Sequence, residues 1–251
     1  MRTCSPTILA LAAATLGLCS VGLIHANGNH AMPPAFLDDF DDDALGAMPW
    51  NAGGRFDPAI ETEIGEVLVT GPVDPRAIVE VVDVVGPGGH LERVLRVSDA
   101  QIHTPVGHSE VTMRPIGAVG MVSLRFSIRL SKLAGDIVKL SVTDNRTTPG
   151  TGRLASVEVA PSGNLVVQGN ELPFVVEPGV KYHVTADFDL SGPQDTLGLH
   201  VVPAGGGPSF HQTGVQLPID GAMVTDVTFG LADGGKGAFD LDNVRVLVMS
   251  P

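Results

Sequence analysis

Cysteine is almost missing from this chain of 251 residues: there are two, Cys4 and Cys19. Both lie within the first 19 residues, so everything beyond them can form no disulfide, no zinc–thiolate site and no cysteine nucleophile. Aromatic residues make up only 4%, with a single Trp, Trp50, and a single Tyr, Tyr182. Pyranose rings usually stack on Trp or Tyr faces, so a broad aromatic platform for sugars is excluded. Cations are scarce as well: 15 Lys and Arg stand against 28 Asp and Glu, a net charge of −13. With no run of Lys or Arg, the chain lacks the basic footprint that nucleic acid or an anionic membrane requires. Long windows with an i, i+3, i+4, i+7 apolar stripe between helix caps are also lacking, which argues against a helical protein.

The N-terminus reads as an export signal. Arg2 supplies a positive charge, Ile8–Ile24 is apolar, and His25-Ala26 leads into the turn-rich Asn27-Gly28-Asn29. Cleavage after Ala26 would leave 225 of the 251 residues and take the net charge from −13 to −14 as Arg2 departs. A retained anchor is the rival reading, since about 17 apolar residues lie near the lower limit for spanning a bilayer. The expected organisation is a signal peptide at 1–26, an exposed lead-in at 27–35 and one domain at 36–251. The product would be secreted, extracellular or periplasmic, with no membrane span after cleavage.

What the chain does have is Val-rich runs that alternate every second residue. Leu124, Phe126, Ile128 and Leu130 alternate with Ser123, Arg125, Ser127 and Arg129. Val180, Tyr182, Val184, Ala186 and Phe188 alternate with Lys181, His183, Thr185 and Asp187. Similar runs occupy Ala77–Val85, Leu91–Ser98, Ile137–Thr143, Leu154–Ala160, Asn164–Gln168 and Met223–Gly230. Strand side chains point to opposite faces in turn, so each run can bury one face and wet the other. Gly and Pro punctuate the runs: Pro161-Ser162-Gly163-Asn164 reads as a hairpin turn, and Glu177-Pro178-Gly179 opens the next strand. The fold class expected is all-β, a two-sheet antiparallel jelly-roll β-sandwich.

The order of elements in the C-terminal half carries a resemblance. A hairpin at Ser156–Gly169 is followed by Gly179-Val180-Lys181-Tyr182-His183-Val184-Thr185-Ala186-Asp187-Phe188-Asp189 and strands near Leu197–Val202 and Val227–Gly230. The run ends in Phe239-Asp240-Leu241-Asp242-Asn243-Val244-Arg245-Val246. This resembles the concanavalin A-like lectin/glucanase superfamily, in its laminin-G-like and carbohydrate-binding-module branch. The segment Phe36-Leu37-Asp38-Asp39-Phe40-Asp41 is similar to the first strand of such modules, which the resemblance pairs with the last. Lectins, hydrolases, lyases and structural modules share that fold, so the resemblance implies no single activity.

Candidate sites follow from residue chemistry. Glu61 and Glu63 would share a strand face, but Gly65 stands where a retaining glucanase of this fold needs an acid. Gln101-Ile102-His103 is similar to a motif of alginate lyases, without the companion motifs that supply the tyrosine. His103, His108 and Glu110 could meet on a metal only through a loop. The acids of the first and last strands, with Asp39, Asp41, Asp240 and Asp242 as ligands, are the candidate for a structural calcium ion. If those strands are neighbours, their charges repel unless a cation lies between them. The alternation also slips between Leu241 and Val244, which places a β-bulge at Asp242-Asn243. For a glycan, the polar option is Arg125, Arg129 and His183, with Trp50 as the lone aromatic.

These observations converge on an exported, non-catalytic module that binds a glycan or another extracellular polymer, an acidic one in particular. A polysaccharide lyase or glycoside hydrolase of the same fold, or a structural or adhesive exoprotein, are the alternatives.

Overall fold

A computed structural model describes residues 36–41, 66–70, 77–86, 88–99, 110–114, 117–131, 138–143, 152–218, 223–231 and 237–249. The expected signal peptide and lead-in, Trp50, the Glu61 cluster, the Gln101–His103 motif and His108 lie outside them. Among the described residues there is no helix, and fifteen strands follow one another. These are β1 (Phe36–Asp38), β2 (Glu66–Thr70), β3 (Ala77–Val85), β4 (Leu91–Asp99), β5 (Glu110–Arg114), β6 (Met121–Leu130), β7 (Val138–Thr143) and β8 (Arg153–Val159). They continue with β9 (Asn164–Val167), β10 (Asn170–Val175), β11 (Lys181–Asp189), β12 (Thr196–Pro203), β13 (Phe210–Gln216), β14 (Asp226–Leu231) and β15 (Gly237–Met249).

Two antiparallel sheets result. Sheet I runs β13-β12-β11-β6-β15-β4-β3, with β1 also paired to β15, and sheet II runs β10-β9-β8-β7-β14-β5-β2. The expected two-sheet sandwich is therefore the architecture observed. Alternation explains the layering: Val122, Leu124, Phe126 and Leu130 of β6 are buried with Tyr182, Val184, Ala186 and Phe188 of β11. Phe229 of β14 meets Phe126 edge-on across the sandwich, 4.9 Å between centroids at 76°. Such pairs add about 0.5–1.5 kcal/mol beyond the area they bury. The buried Tyr182 keeps its hydroxyl satisfied by accepting the Glu177 N–H at 2.9 Å.

Strand β15 lies in the middle of sheet I and changes neighbours along its length. Gly237–Leu241 pair with β4, whereas Val244–Val246 pair with β1 on the same side, and β6 flanks the other side throughout. The expected meeting of the first and last strands is thus present. The expected bulge is present too: the register with β6 shifts between Asp242 and Arg245, and Asn243 sits at φ 53°. The extra residue moves the buried set from Phe239 and Leu241 to Val244 and Val246, so the apolar face stays inward on both sides of the bulge.

Since β15 turns to β1 beyond Leu241, the distal half of the β3–β4 hairpin loses its lateral partner. It reaches over the outer face of sheet I instead. Lys181 Nζ on β11 bonds Glu92 on β4 at 2.8 Å, and Arg129 Nη1 on β6 donates to the Val85 carbonyl of β3 at 3.0 Å. In a flat sheet, three strand spacings would hold β4 and β11 about 14 Å apart. The hairpin's Val84 and Val94 are buried against this face, at 8% and 3% exposure, and the tip leaves Val85 and Leu91 in solvent.

Candidate functional site

Of the polar residues expected to form a site, Arg125, Arg129, His183, Asp240 and Asp242 share the outer face of sheet I, and strand register sorts them into transverse rows. Lys181, Arg129, Asp240, Arg96 and Glu80 follow one another across β11, β6, β15, β4 and β3. Two residues along the strands, His183, Ser127 and Asp242 form a second row. Two further along, His211, His200, Thr185, Arg125 and Arg245 cross β13, β12, β11, β6 and β15.

The first two rows are joined by an ionic ladder. Asp240, 6% exposed, receives Arg96 in fork geometry at 2.7 and 3.1 Å, and Arg129 at 2.8 and 3.2 Å. The bond to Asp240 raises the Arg96 pKa, with burial opposing and the carboxylate's charge adding to the rise. Asp242, 7% exposed, bonds Lys181 at 2.8 Å, and the same ammonium holds Glu92. Burial lowers the affinity of Lys181 for its proton, yet the bonds to Asp242 and Glu92 outweigh it and its pKa is raised. A small space remains between the hairpin and this ladder, lined by Val84, Glu92, Val94, Ser127, Arg129 and Asp242 among others.

This ladder gives Asp240 and Asp242 partners other than the calcium ion expected from the sequence. Asp240 and Asp242 do not face the acids of the first strand, because β1 pairs with Val244–Val246, one step past them. Asp38 turns onto the Phe40 N–H at 2.9 Å, and Asp39 accepts the Asp41 N–H at 3.3 Å. The chain's own Arg96, Arg129 and Lys181 supply the cations that Asp240 and Asp242 need. Among the described residues, no group of three or more His, Cys, Asp or Glu side chains is placed to hold a metal ion.

Of the proposed glycan contacts, Arg125, Arg129 and His183 do share one face. Arg129 is committed to Asp240 and to the hairpin. His183 is exposed, its Nδ1 2.9 Å from the Ser127 hydroxyl. Arg125 is exposed, its Nε turned to Ser123 Oγ at 3.2 Å, and Arg245 stands beside it, also exposed. Sequence reasoning missed Arg245, His200 and His211. Alternation alone would put Arg245 outward, but the row exists only once five strands are in register. Across four strand spacings it runs about 19 Å, and it gathers two exposed Arg on a chain whose net charge is −13.

Comparison with known proteins rests on structure. No family model matches the chain, and no curated protein is similar to it in sequence. Among solved structures, the catalytic domain of the glycoside hydrolase family 131 protein from Coprinopsis cinerea is similar at TM-score 0.52 and 13% identity, covering 87% of this chain and 95% of that one. Lectin I from Ulex europaeus, in complex with the methyl glycoside of α-L-fucose, gives TM-score 0.46 and 11% identity, covering 72% of this chain and 90% of that one. An exo-β-agarase gives 0.42 and 13%, covering 86% of this chain and 25% of that one. At such low identity the likeness to the hydrolase domain speaks for architecture alone. The chain has a concanavalin A-like fold, a jelly roll of two antiparallel sheets.

Proposed function

We propose that the protein is an exported, non-catalytic glycan-binding module that holds an acidic polysaccharide across the outer face of sheet I. The observation that carries this reading is the exposed row of Arg125 and Arg245 with Thr185, His200 and His211 beside them. A guanidinium offers a planar fork that matches a carboxylate or sulfate, and charge-assisted bonds are roughly twice as strong as neutral ones. His183, one row away, supplies a further polar contact. The β3–β4 hairpin covers Lys181 and Arg129, whose bonds to Glu92 and to the Val85 carbonyl withhold them from the ligand. The carbohydrate chemistry of proteins sharing the fold supports the ligand class; the basic row supports its charge.

The test is retention on immobilised uronate and sulfated polysaccharides beside neutral glucans, combined with a reducing-end and unsaturated-uronate assay. Parent protein is expected to be retained on the acidic polymers, to elute as salt rises, and to release no new ends. Arg125→Ala and Arg245→Ala should each weaken retention about tenfold while leaving the circular dichroism spectrum unchanged, the loss of one charge-assisted contact of about 1.5 kcal/mol. Equal retention of both variants, or turnover of any polymer, would overturn the reading.

A further inference from the structure

His200 of β12 and His211 of β13 are direct cross-strand partners. Both side chains are exposed, and their rings stand 5.5 Å apart between centroids at 87°. Among the described residues neither imidazole makes a hydrogen bond to the protein, in contrast to His183, whose Nδ1 faces Ser127. On β12, two residues before His200, stands Gly198, which carries no side chain toward the pair.

We infer that His200 and His211 form a two-nitrogen site for a divalent first-row transition ion on the outer face of sheet I. The geometry fits. With metal–nitrogen bonds of about 2.0–2.1 Å and a near-tetrahedral angle, two chelating imidazoles hold their centroids about 5 Å apart. The observed separation of 5.5 Å lies within a few tenths of an ångström of that value. Two antiparallel strands fix the backbone beneath both rings, so little freedom is lost when the ion binds. Imidazole selects copper, zinc and nickel over calcium and magnesium, and the divalent series places Cu²⁺ tightest. Among the described residues these are the two protein ligands at hand, so water or an anionic group fills the remaining positions. Ten residues lie between the pair in sequence, which is why no motif announces it. The site does not depend on the glycan reading, because the ion is measured with no polysaccharide present.

The experiment is a titration of the purified protein with CuCl2, and separately ZnCl2, followed by calorimetry and, for copper, by electron paramagnetic resonance. The parent should bind one more equivalent of Cu²⁺ than the His200→Ala/His211→Ala double variant, with a spectrum showing nitrogen ligation. Each single variant should weaken that equivalent about tenfold or more, the scale on which even supporting residues of metal sites act. His90→Ala, at the exposed hairpin tip, should retain it. Circular dichroism confirms that all variants are folded. Equal copper binding by parent and double variant, or loss of the same equivalent in His90→Ala, would overturn the inference.

Discussion

Replacing Asp240 by Asn tests the ionic ladder most directly. The change keeps the side chain's size but removes the one negative charge between two guanidiniums. Asp240 is nearly buried, while Arg96 and Arg129 keep 35% and 22% side-chain exposure. An exposed pair contributes about 0.2–1 kcal/mol, and breaking a buried one costs about 3–5 kcal/mol. The arrangement here lies between the two, so a cost of about 3 kcal/mol is expected. For a domain of about 150–250 residues each kcal/mol lowers Tm by about 2–4 °C, which gives a drop of about 6–12 °C. Thermal and urea melts followed by circular dichroism measure it. Repeating the substitution in an Arg129→Met background supplies a double-mutant cycle, where a coupling of at least about 1 kcal/mol is expected between direct partners. A cost below about 0.5 kcal/mol, or additive effects of the two changes, would refute the assignment of Asp240 to the two arginines. If a calcium ion held Asp240 instead, chelator would reproduce the loss in the parent; the ladder predicts an unchanged midpoint.

Other outcomes follow from the same geometry. The raised pKa of Lys181 means that its ion pairs contribute stability that is fully present below its unfolded value and is lost as pH rises through the folded one. The stability difference between parent and Lys181→Met should therefore hold from neutral pH up to about pH 10.4 and shrink above it in urea melts. At the bulge, Asn243 has φ 53°, so Asn243→Gly should leave Tm nearly unchanged. Asn243→Val should cost about 1–2 kcal/mol, because a branched residue is poorly tolerated in the left-handed region. Phe229→Ala should cost about 3–5 kcal/mol in the same melts, since Phe229 is fully buried against Phe126.

Much of the fold is legible in the two-residue rhythm, because burial on one face forces the pattern into the residues themselves. The run Ala77–Val85 coincides with β3, and the alternations around Phe126 and Val184 give the inward faces of β6 and β11. The bulge is legible for the same reason, since a slip of one residue changes which side chains are apolar. Strand β13 is not, because its Phe210-His211-Gln212-Thr213-Gly214-Val215-Gln216 lies at a sheet edge with only two large apolar residues. Strand β10 is also an edge, and Pro173 within it reads as a breaker. The face of Arg125, Arg129 and His183 follows from alternation, but their partners do not. Arg96 and Asp240 meet across 144 positions of chain, and only long-range register decides that they neutralise each other. Without that register, the sequence shows the acids but not the cations beside them.

Strand β15 joins sheet I at its middle, between β6 on one side and β4 and β1 on the other. During synthesis, therefore, the halves of this sheet have no common seam until residues 237–249 leave the ribosome. Before then β6, β4 and β1 each present an open hydrogen-bonding edge, the kind of surface on which nascent chains stick to one another. Closing the seam brings together residues more than two hundred positions apart, as in Phe36 against Val246, a topology that makes folding slow. A chaperone that shields those edges would thus be needed most while this strand is still being made.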